Sequence, residues 1–491
     1  MNHRLKPYPA YKDSGVLWLG EVPEHWDIKP IGRLGFLLKG RGRSKADEIP
    51  QGKPCIRYGD LYTQHEYHIN QTRAFISKES ACYYTPIEYG DILFAASGET
   101  IEDIGRSAVN LINSETFCGG DVLLFRPKIE FIPRYLGYAS DSPASRHQKA
   151  CMGKGFTVIH IYGSQLRGLT VPIPPLPEQS TIVRYLDYMD RRIQRYIRAK
   201  QKLIKLLEEQ KQAIIHQSVT GRIDVRTGKP YPAYKPSGVE WLGDVPEHWE
   251  VNPLGRVLMQ RKERNDPIKT TNILSLSLKT GVIPYADKEA GGNKAKEDLS
   301  AYMLAYPGDI VVNSMNVVVG SVGISKYFGA VSPVYYMLRP RDPYDPVDYT
   351  GAIFQNTGFQ RSLFGLGNGI MYIESKTSGK LNTIRLRIPM TRLKKVMLPR
   401  PPSEEQSAIV RHLFKVISES TAALESTESQ IVLLHEFRTR LISDVVTGKL
   451  DVREAAANLP DELEEDLLED QEQEEETDED LEDGQQTGDE E

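Results

Sequence analysis

Residues 6–34 decide the fold, and they read KPYPAYKDSGVLWLGEVPEHWDIKPIGRL. They return at residues 229–257 as KPYPAYKPSGVEWLGDVPEHWEVNPLGRV, with 21 of 29 positions identical at an offset of 223. Two further blocks repeat at an offset of 227: PEQSTIVRYL (177–186) aligns within SEEQSAIVRHL (403–413), and VTGRIDVR (219–226) with VTGKLDVR (446–453). The chain is therefore a tandem duplication with constant framework segments and divergent interiors. This pattern predicts one scaffold that presents two different recognition surfaces.

Each second block begins a long amphipathic segment. Residues 178–219 contain neither Gly nor Pro, and Gly221 follows as a helix stop. Alternating steps of four and three residues pick out a mostly apolar seam from Ile182 to Gln217, which includes Tyr196 and Leu203, and a second seam from Val410 to Val445. Two equal stripes are best buried on each other, so an antiparallel coiled coil is predicted. The alternative is that each helix packs on its own domain.

The interiors contain strand-like runs bounded by turn residues, which predict sheets. The runs are CIRYG (55–59), GDILFAAS (90–97), GDVLLFRP (120–127), NILSLSL (272–278), GDIVVNS (308–314) and PVYYMLRP (333–340). Residues 132–150 have a helical pattern. The predicted fold class is therefore α+β, with two mixed α/β domains in tandem repeat and two long helices between them.

The formal net charge of −6 is misleading, because residues 454–491 contain 20 acidic and no basic residues. Residues 1–453 carry a net charge of +14, which suits a polyanionic partner. The acidic tail is predicted to be disordered, either as a solvated segment or as an internal competitor for the basic surface. The chain has no apolar run of 18 residues and no signal peptide, so a cytoplasmic protein without membrane association is expected.

Catalytic motifs do not recur in the two halves. A phosphate-binding GxxxxGK[ST] loop, a GxSxG elbow and HExxH are all absent from the sequence. The spacing of Cys55, Cys82, Cys118 and Cys151 fits neither a zinc site nor a dense disulfide framework, so reduced cysteines and no metal site are expected. A non-catalytic binding protein is predicted. The enzymatic alternative is a nuclease with scattered carboxylates, which metal-dependent cleavage by the isolated chain would support.

The SGVxWLGxVPEHW block, the helix start (PPLPEQ at 174–179 and PPSEEQ at 401–406) and the VTGKLDVR-type helix end each occur twice, in the same order. Together they resemble the specificity (S) subunit of Type I restriction–modification systems, over nearly all of residues 1–453. The resemblance implies two target recognition domains, at 1–173 and 222–398, that each read one half of a bipartite, asymmetric site in double-stranded DNA. It also implies framework helices within 174–221 and 399–453, with the acidic tail at 454–491 outside the family pattern.

The same resemblance implies partners. The specificity subunit is not the catalyst: it docks two methyltransferase (M) subunits and recruits restriction/translocase (R) subunits. S-adenosylmethionine, ATP and Mg²⁺ are expected on those partners, and no cofactor in this chain. Four residues inserted into 195–210 are predicted to lengthen the DNA spacer without altering either half-site. The alternative is an orphan DNA-binding or scaffold protein of the same build without an active enzyme partner.

Basic loops at corresponding places in the two halves are the candidate DNA contacts. For any one of these residues, an ordinary solvated surface charge is the alternative. Docking of partners is predicted on the outer face of the first helix, at Tyr185, Tyr188 and Arg192. His25 and His248, inside the duplicated block, are predicted to be hydrogen-bonded packing anchors. The candidate DNA contacts are Lys39, Arg41, Arg43 and Lys45 with Gln260, Arg261, Lys262, Arg264 and Asn265, and then Lys154 and His160 with Asn368 and Lys376.

Overall fold

The structure is a computed structural model that describes residues 5–43, 47–155, 158–278, 280–288, 298–368, 373–374, 381–382 and 387–460. By internal contacts the chain forms two compact units, Met1–Arg198 with Gln430–Glu491, and Ala199–Ser429. Each boundary lies inside a long helix. Each unit therefore contains one mixed α/β domain and part of both long helices. The acidic tail beyond residue 460 lies outside the described residues.

The first half of the chain contains short strands followed by one long helix. Its helices are α1 Asp60–Thr63, α2 Pro133–Asp141, α3 Pro143–Met152, α4 Gly163–Leu166 and α5 Leu176–Thr220. Its strands are β1 Tyr11–Asp13, β2 Glu21–Pro23, β3 Asp27–Pro30, β4 Gly35–Lys39, β5 Glu48–Ile49, β6 Lys53–Ile56, β7 Tyr67–Ile69, β8 Phe75–Ile76, β9 Thr85–Ile87, β10 Ile92–Ala95, β11 Ser97–Gly98, β12 Ser107–Asn110, β13 Thr116–Cys118, β14 Val122–Pro127, β15 Ile159–His160 and β16 Thr170–Ile173.

The second half repeats this order. Its helices are α6 Leu254–Val257, α7 Val347–Gln355, α8 Thr357–Ser362, α9 Met390–Leu393, α10 Ser403–Val446 and α11 Arg453–Ala457. Its strands are β17 Tyr234–Pro236, β18 Asp244–Pro246, β19 Glu250–Pro253, β20 Leu258–Arg261, β21 Leu274–Ser277, β22 Gly281–Pro284, β23 Met303–Ala305, β24 Ile310–Asn313, β25 Val322–Ile324, β26 Gly329–Val331, β27 Tyr335–Pro340, β28 Ile373–Glu374, β29 Leu381–Asn382 and β30 Met397–Arg400. All six predicted strand runs contain a strand, and the helical pattern at 132–150 corresponds to α2 and α3.

The two domains share a sheet with the same register. In the first, the strand order is β4-β14-β10-β12-β7, and in the described part of the second it is β20-β27-β24-β25. Gly35 pairs with Pro127 in the first sheet, and Leu258 pairs with Pro340 in the second. The two sheets can therefore be superposed strand by strand, with β4 equivalent to β20 and β14 to β27. This equivalence confirms that the divergent interiors retain one fold.

The long helices pack on each other within each unit. In the first unit the beginning of α5 contacts the end of α10, through Ile182 and Leu186 against Leu441 and Val445. In the second unit the end of α5 contacts the beginning of α10, through residues that include Ile215, Val219, Ile409 and Leu413. This pairing confirms the antiparallel coiled coil. In the described parts of the chain, no helix is long and apolar enough to cross a membrane.

The predicted seams are right for α10 and partly wrong for α5. No seam position from Val410 to Val445 is exposed. In α5, however, Tyr196 and Leu203 are 53% and 39% exposed, and Ile197 is buried at 3%. A straight helix has 3.6 residues per turn, so a strict seven-residue spacing drifts by about 20° per heptad. This drift explains why the buried side chain moves from position 196 to 197.

A buried carboxylate anchors each copy of the duplicated block to the start of a long helix. Glu178 Oε1 accepts the indole N–H of Trp26 at 3.1 Å, and its Oε2 lies 2.8 Å from His25 Nε2. Glu405 makes the same contacts, at 3.1 Å and 2.8 Å, with Trp249 and His248. The predicted hydrogen bonding of both histidines is confirmed, but His25 and His248 are exposed, so the buried packing is provided by Trp26 and Trp249. The two blocks recur together because each supplies half of this contact.

The end of each long helix completes the same anchor. Gly448, after α10, has φ of +77°, and a Cβ there would clash with Pro23 and lie 3.0 Å from the ring of Trp26. Gly221, after α5, has φ of +73° and faces Pro246 and Trp249 in the same way. The start of one helix and the end of the other thus meet at each duplicated block. All three repeated segments are therefore constant for one structural reason.

Candidate DNA interface

The first domain has an open cleft of about 640 Å³ beside the end of β4. Its lining combines apolar side chains with polar and charged ones. Lys39 ends β4 and His160 ends β15, 121 residues later in the sequence, so their meeting at one cleft is a result of the fold. The polar and charged lining residues are Lys39, Ser97, Asp121, His160, Tyr162, Ser164 and Arg167.

His160 is held at the cleft by its backbone and its ring. Its N–H and carbonyl form an antiparallel bridge with Lys154, with N–O distances of 2.7 and 2.8 Å. Its Nδ1 lies 3.0 Å from Ser97 Oγ, which leaves the Nε2 edge without a hydrogen bond within the described residues. Lys154 is exposed beside it. The sequence places these two residues in one loop, and the structure pairs Lys154 with His160, which lines the cleft.

The KGRGR loop continues from β4 with its cations exposed. Lys39, Arg41 and Arg43 are all exposed. The N–H of Arg41 donates to Thr85 Oγ1 at 2.9 Å, which fixes the loop backbone. The Arg43 guanidinium lies 3.4 Å above the ring of Tyr83. Lys45 lies outside the described residues. The loop thus carries exposed positive charge on a backbone that is hydrogen-bonded to the domain, which suits a phosphate contact.

In the second domain the equivalent of Lys39 is Lys262. The pairing of β4 with β14 and of β20 with β27 places both lysines at the same distance along the sheet. Lys262 and Arg264 are exposed, and Gln260 is half-buried within β20. Asn368 is exposed in an antiparallel bridge, and Lys376 lies outside the described residues.

Arg261 was predicted as a DNA contact, but its guanidinium is paired with a carboxylate of the same domain. Its Nε donates to Asp309 at 2.9 Å, and the guanidinium carbon lies 4.3 Å above the ring of Tyr306. Asp309 is 1% exposed, so the pair is internal. In the first domain Arg126 holds the equivalent Asp91 with contacts of 2.9 and 2.7 Å. Arg261 therefore has an internal role that the sequence did not predict, the pairing with the buried Asp309.

The prediction that Asn265 contacts DNA is contradicted by its burial. Its side chain is 0% exposed. The amide nitrogen donates to the carbonyl of Thr270 at 2.9 Å, and the amide oxygen accepts from the N–H of Lys269 at 2.8 Å. Both ends of the amide are satisfied, so this residue shapes the loop and has no group available for a base.

The prediction that Tyr185 is available for docking a partner is wrong. It is 8% exposed and belongs to the core that α5 forms with α10. Tyr188 is half-buried and Arg192 is exposed, and the Arg192 guanidinium lies 3.4 Å from the Tyr188 hydroxyl. A partner can therefore reach Arg192 and the edge of Tyr188, but not Tyr185.

A buried ion pair supports the helices behind the cleft. Lys149 is 0% exposed, and its Nζ lies 2.7 Å from Asp141 Oδ1 and 3.0 Å from Ser107 Oγ. Burial lowers the pKa of Lys149 to about 8. Burial opposes the ionisation of Asp141, but the attraction of Lys149 and Arg146 outweighs it and holds the pKa of Asp141 below its ordinary value. The pair is therefore ionised at neutral pH.

Sequence reasoning missed Tyr162 and Arg167, which flank α4 on the wall of the cleft. They follow the last strand-like run without any charge cluster, so composition does not reveal them. The available signal was their position shortly before β16, the strand that leads into the PPLPEQ helix start. This segment connects the recognition domain to α5, and in the fold it lies beside Lys39.

Two domains of one fold, each with exposed cations and mounted on a pair of antiparallel helices, define a duplicated binding protein. Residues 23–206 match the family model described as the Type I restriction modification DNA specificity domain. This match covers most of the first domain and of α5, and the chain as a whole is similar to specificity subunits of Type I restriction enzymes.

The similar proteins span nearly the whole chain. The putative type I restriction enzyme MjaX specificity subunit of Methanocaldococcus jannaschii is 23% identical over 89% of this chain and 96% of its own length. The type I restriction enzyme EcoKI specificity subunit of Escherichia coli is 21% identical over 90% of this chain and 92% of its own. A chain solved in a study of complex assembly and conformational transition of the type I R-M system shares the fold, with a TM-score of 0.63, 17% identity, and coverage of 87% of this chain and 99% of that chain.

Proposed function

We propose that this chain is the DNA sequence-specificity subunit of a Type I restriction–modification complex and recognises a bipartite, asymmetric site. The observation that carries the proposal is the pair of domains with one strand register and different residues at equivalent positions. Asp121 precedes β14 at the cleft, whereas Val334 occupies the equivalent place before β27. Recognition of two different half-sites requires two domains that share a fold but differ in their surface residues.

The proposed DNA contacts are exposed cations of both domains. Lys39 and Lys262 stand at equivalent positions, and Arg41, Lys154 and Arg264 extend the positive surface around them. An identical residue in two readers of different sequence suits a phosphate contact, because phosphates carry no sequence information. Residues that differ between the readers are the ones that would contact base edges.

The proposed partners dock on the constant framework. Two methyltransferase subunits and the restriction subunits must be accepted whatever the readers recognise, and the repeated segments supply a surface that is present twice. Next to the repeated block 177–186, Arg192 and Tyr188 offer an exposed cation and a hydroxyl on α5, and they are specific to this helix because Lys415 and Glu419 stand at the equivalent positions of α10. In this proposal the chain itself is non-catalytic, and S-adenosylmethionine, ATP and Mg²⁺ act in the partner subunits.

The antiparallel helices are proposed to set the spacer between the half-sites. Both α5 and α10 carry the same repeated start and end, which would give the two readers inverted orientations on the duplex. In that arrangement helix length, and not the reader interiors, would determine how many base pairs remain unread.

The test is genome-wide adenine methylation in cells with and without this gene, and in deleted cells complemented with it. Loss of one bipartite, gapped motif on deletion, and its return on complementation, is the expected result. An unchanged methylome, in cells where the chain and the methyltransferase are both expressed, would reject the proposal. Co-purification of a methyltransferase would then distinguish an inactive complex from an orphan DNA-binding protein.

A further inference from the structure

The two domains share a backbone arrangement directly before α4 and α9, although their loops there differ in length. Lys154 and His160 form an antiparallel bridge in the first domain, and Asn368 and Arg387 form one in the second. Five residues lie inside the first bridge and 18 inside the second. The bridges make His160 and Arg387 equivalent, which an ungapped comparison of the sequences cannot show.

A second set of contacts supports this equivalence independently. The residue after His160, Ile161, donates its N–H to the carbonyl of Ala96 at 3.0 Å. The residue after Arg387, Ile388, donates its N–H to the carbonyl of Ser314 at 2.8 Å. Ala96 and Ser314 each follow the matching sheet strand, β10 or β24, by one residue. Arg387 therefore enters the same place in the second domain that His160 occupies in the first.

The surroundings of Arg387 suit a ligand contact. His160 lines the cleft of the first domain together with Lys39. Arg387 is exposed, beside the exposed Asn368, and its guanidinium forms no ion pair within the described residues. This contrasts with Arg261, whose Nε and Nη2 both donate to Asp309.

We propose, on the basis of the function proposed above, that Arg387 is a specificity-determining residue of the second domain and recognises a guanine from the major groove. The planar guanidinium offers two parallel N–H donors, which match the O6 and N7 acceptors of guanine. Position 160/387 differs between the two domains, whereas position 39/262 is lysine in both. The variable position accordingly reads sequence and the constant lysine binds phosphate.

The experiment uses the complex of the full chain with its methyltransferase, and duplexes that contain the motif found in cells. Methylation rates are compared for matched duplexes in which each base pair of the second half-site is replaced in turn. The variants are Arg387→Gln and Arg387→Lys, with Lys262→Gln as the matched control. A duplex with 7-deazaguanine in place of guanine removes only the N7 acceptor.

For wild type, one G·C position of the second half-site should be favoured about 5- to 150-fold over its replacements, which corresponds to one bidentate contact. Arg387→Gln should abolish this preference at that position only, and 7-deazaguanine should slow the wild type but not Arg387→Gln. Lys262→Gln should slow all duplexes equally. Unrelaxed specificity in Arg387→Gln, or an equal loss on every duplex with Arg387→Lys behaving like wild type, would overturn the inference. Absence of any bipartite motif in wild-type cells would instead reject the proposed function.

Discussion

Replacement of Glu178 by alanine should destabilise the first unit by about 3 kcal/mol. Glu178 is 7% exposed, and its carboxylate binds the indole N–H of Trp26 at 3.1 Å and His25 at 2.8 Å. A hydrogen bond to a charged group contributes about 1.5–3 kcal/mol, and an unpaired buried donor costs about 1–3 kcal/mol. Both ranges refer to the one hydrogen bond between Glu178 and the indole of Trp26, so only one of them applies. Loss of the His25 contact brings the expected cost to the upper part of the range.

Glutamine at position 178 is the matched probe of charge. Its amide oxygen can still accept from Trp26, and its amide nitrogen can face His25, so shape and one hydrogen bond are retained. We expect Glu178→Gln to cost about 1 kcal/mol, the contribution of one ordinary hydrogen bond. Glu405→Ala should reproduce the alanine effect in the second unit, where Trp249 and His248 take the same roles.

The assay is urea unfolding of the full chain, with a double-mutant cycle between Glu178→Ala and Trp26→Phe. Phenylalanine lacks the N–H, so the alanine substitution should cost about 1–2 kcal/mol less in that background. Effects of the two substitutions that add within about 0.5 kcal/mol would refute the reasoning, because that is the limit for independent sites. Loss of packing at Trp26 alone cannot produce such coupling.

Three further outcomes are expected. Gly448→Ala should destabilise the chain by about 2–4 kcal/mol, because the positive φ of Gly448 and its contact with Trp26 both oppose a Cβ. The control is Gly228→Ala, which has φ of +72° but open space around it and should cost only about 1–2 kcal/mol. Thermal unfolding of the two variants compares these costs. Because the pKa of Asp141 is lowered in the fold, its contribution is present above about pH 4 and is lost as pH falls through the folded-state pKa. Asp141→Asn should therefore be less stable at pH 7 by about 3–5 kcal/mol and show a flatter acid limb in unfolding from pH 2 to 7. Lys262→Gln should lower the salt dependence of DNA binding by about one unit of slope, and an unchanged slope would exclude a phosphate contact there.

The framework was predictable from the sequence because the chain is a tandem duplication, so its two halves can be compared with each other. Segments that repeat with constant spacing gave the two helices, their ends and the tandem domains. The hydrogen bonding of His25 was also recoverable, since its partner Glu178 lies in another repeated block. The first seam was partly wrong because a regular heptad was extended along a straight helix, so that Tyr196 was placed where Ile197 is buried.

The interface was much less predictable, for two physical reasons. An arginine in a basic loop looks the same whether it faces solvent or a buried carboxylate. The first domain neutralises Asp91 with Arg126 from β14, but the second neutralises Asp309 with Arg261 from β20. Only strand pairing reveals this exchange. The equivalence of His160 and Arg387 was likewise hidden by loops of 5 and 18 residues.

The most direct test of the account is the methylation motif produced when the paired helices are lengthened. Four residues inserted into 195–210 of α5, with the same insertion at the equivalent residues 422–437 of α10, add about 6 Å to the pair at 1.5 Å per residue. The account predicts a spacer longer by about two base pairs, at 3.4 Å per step, with both half-sites unchanged. A fully methylated motif with the original spacer would contradict it.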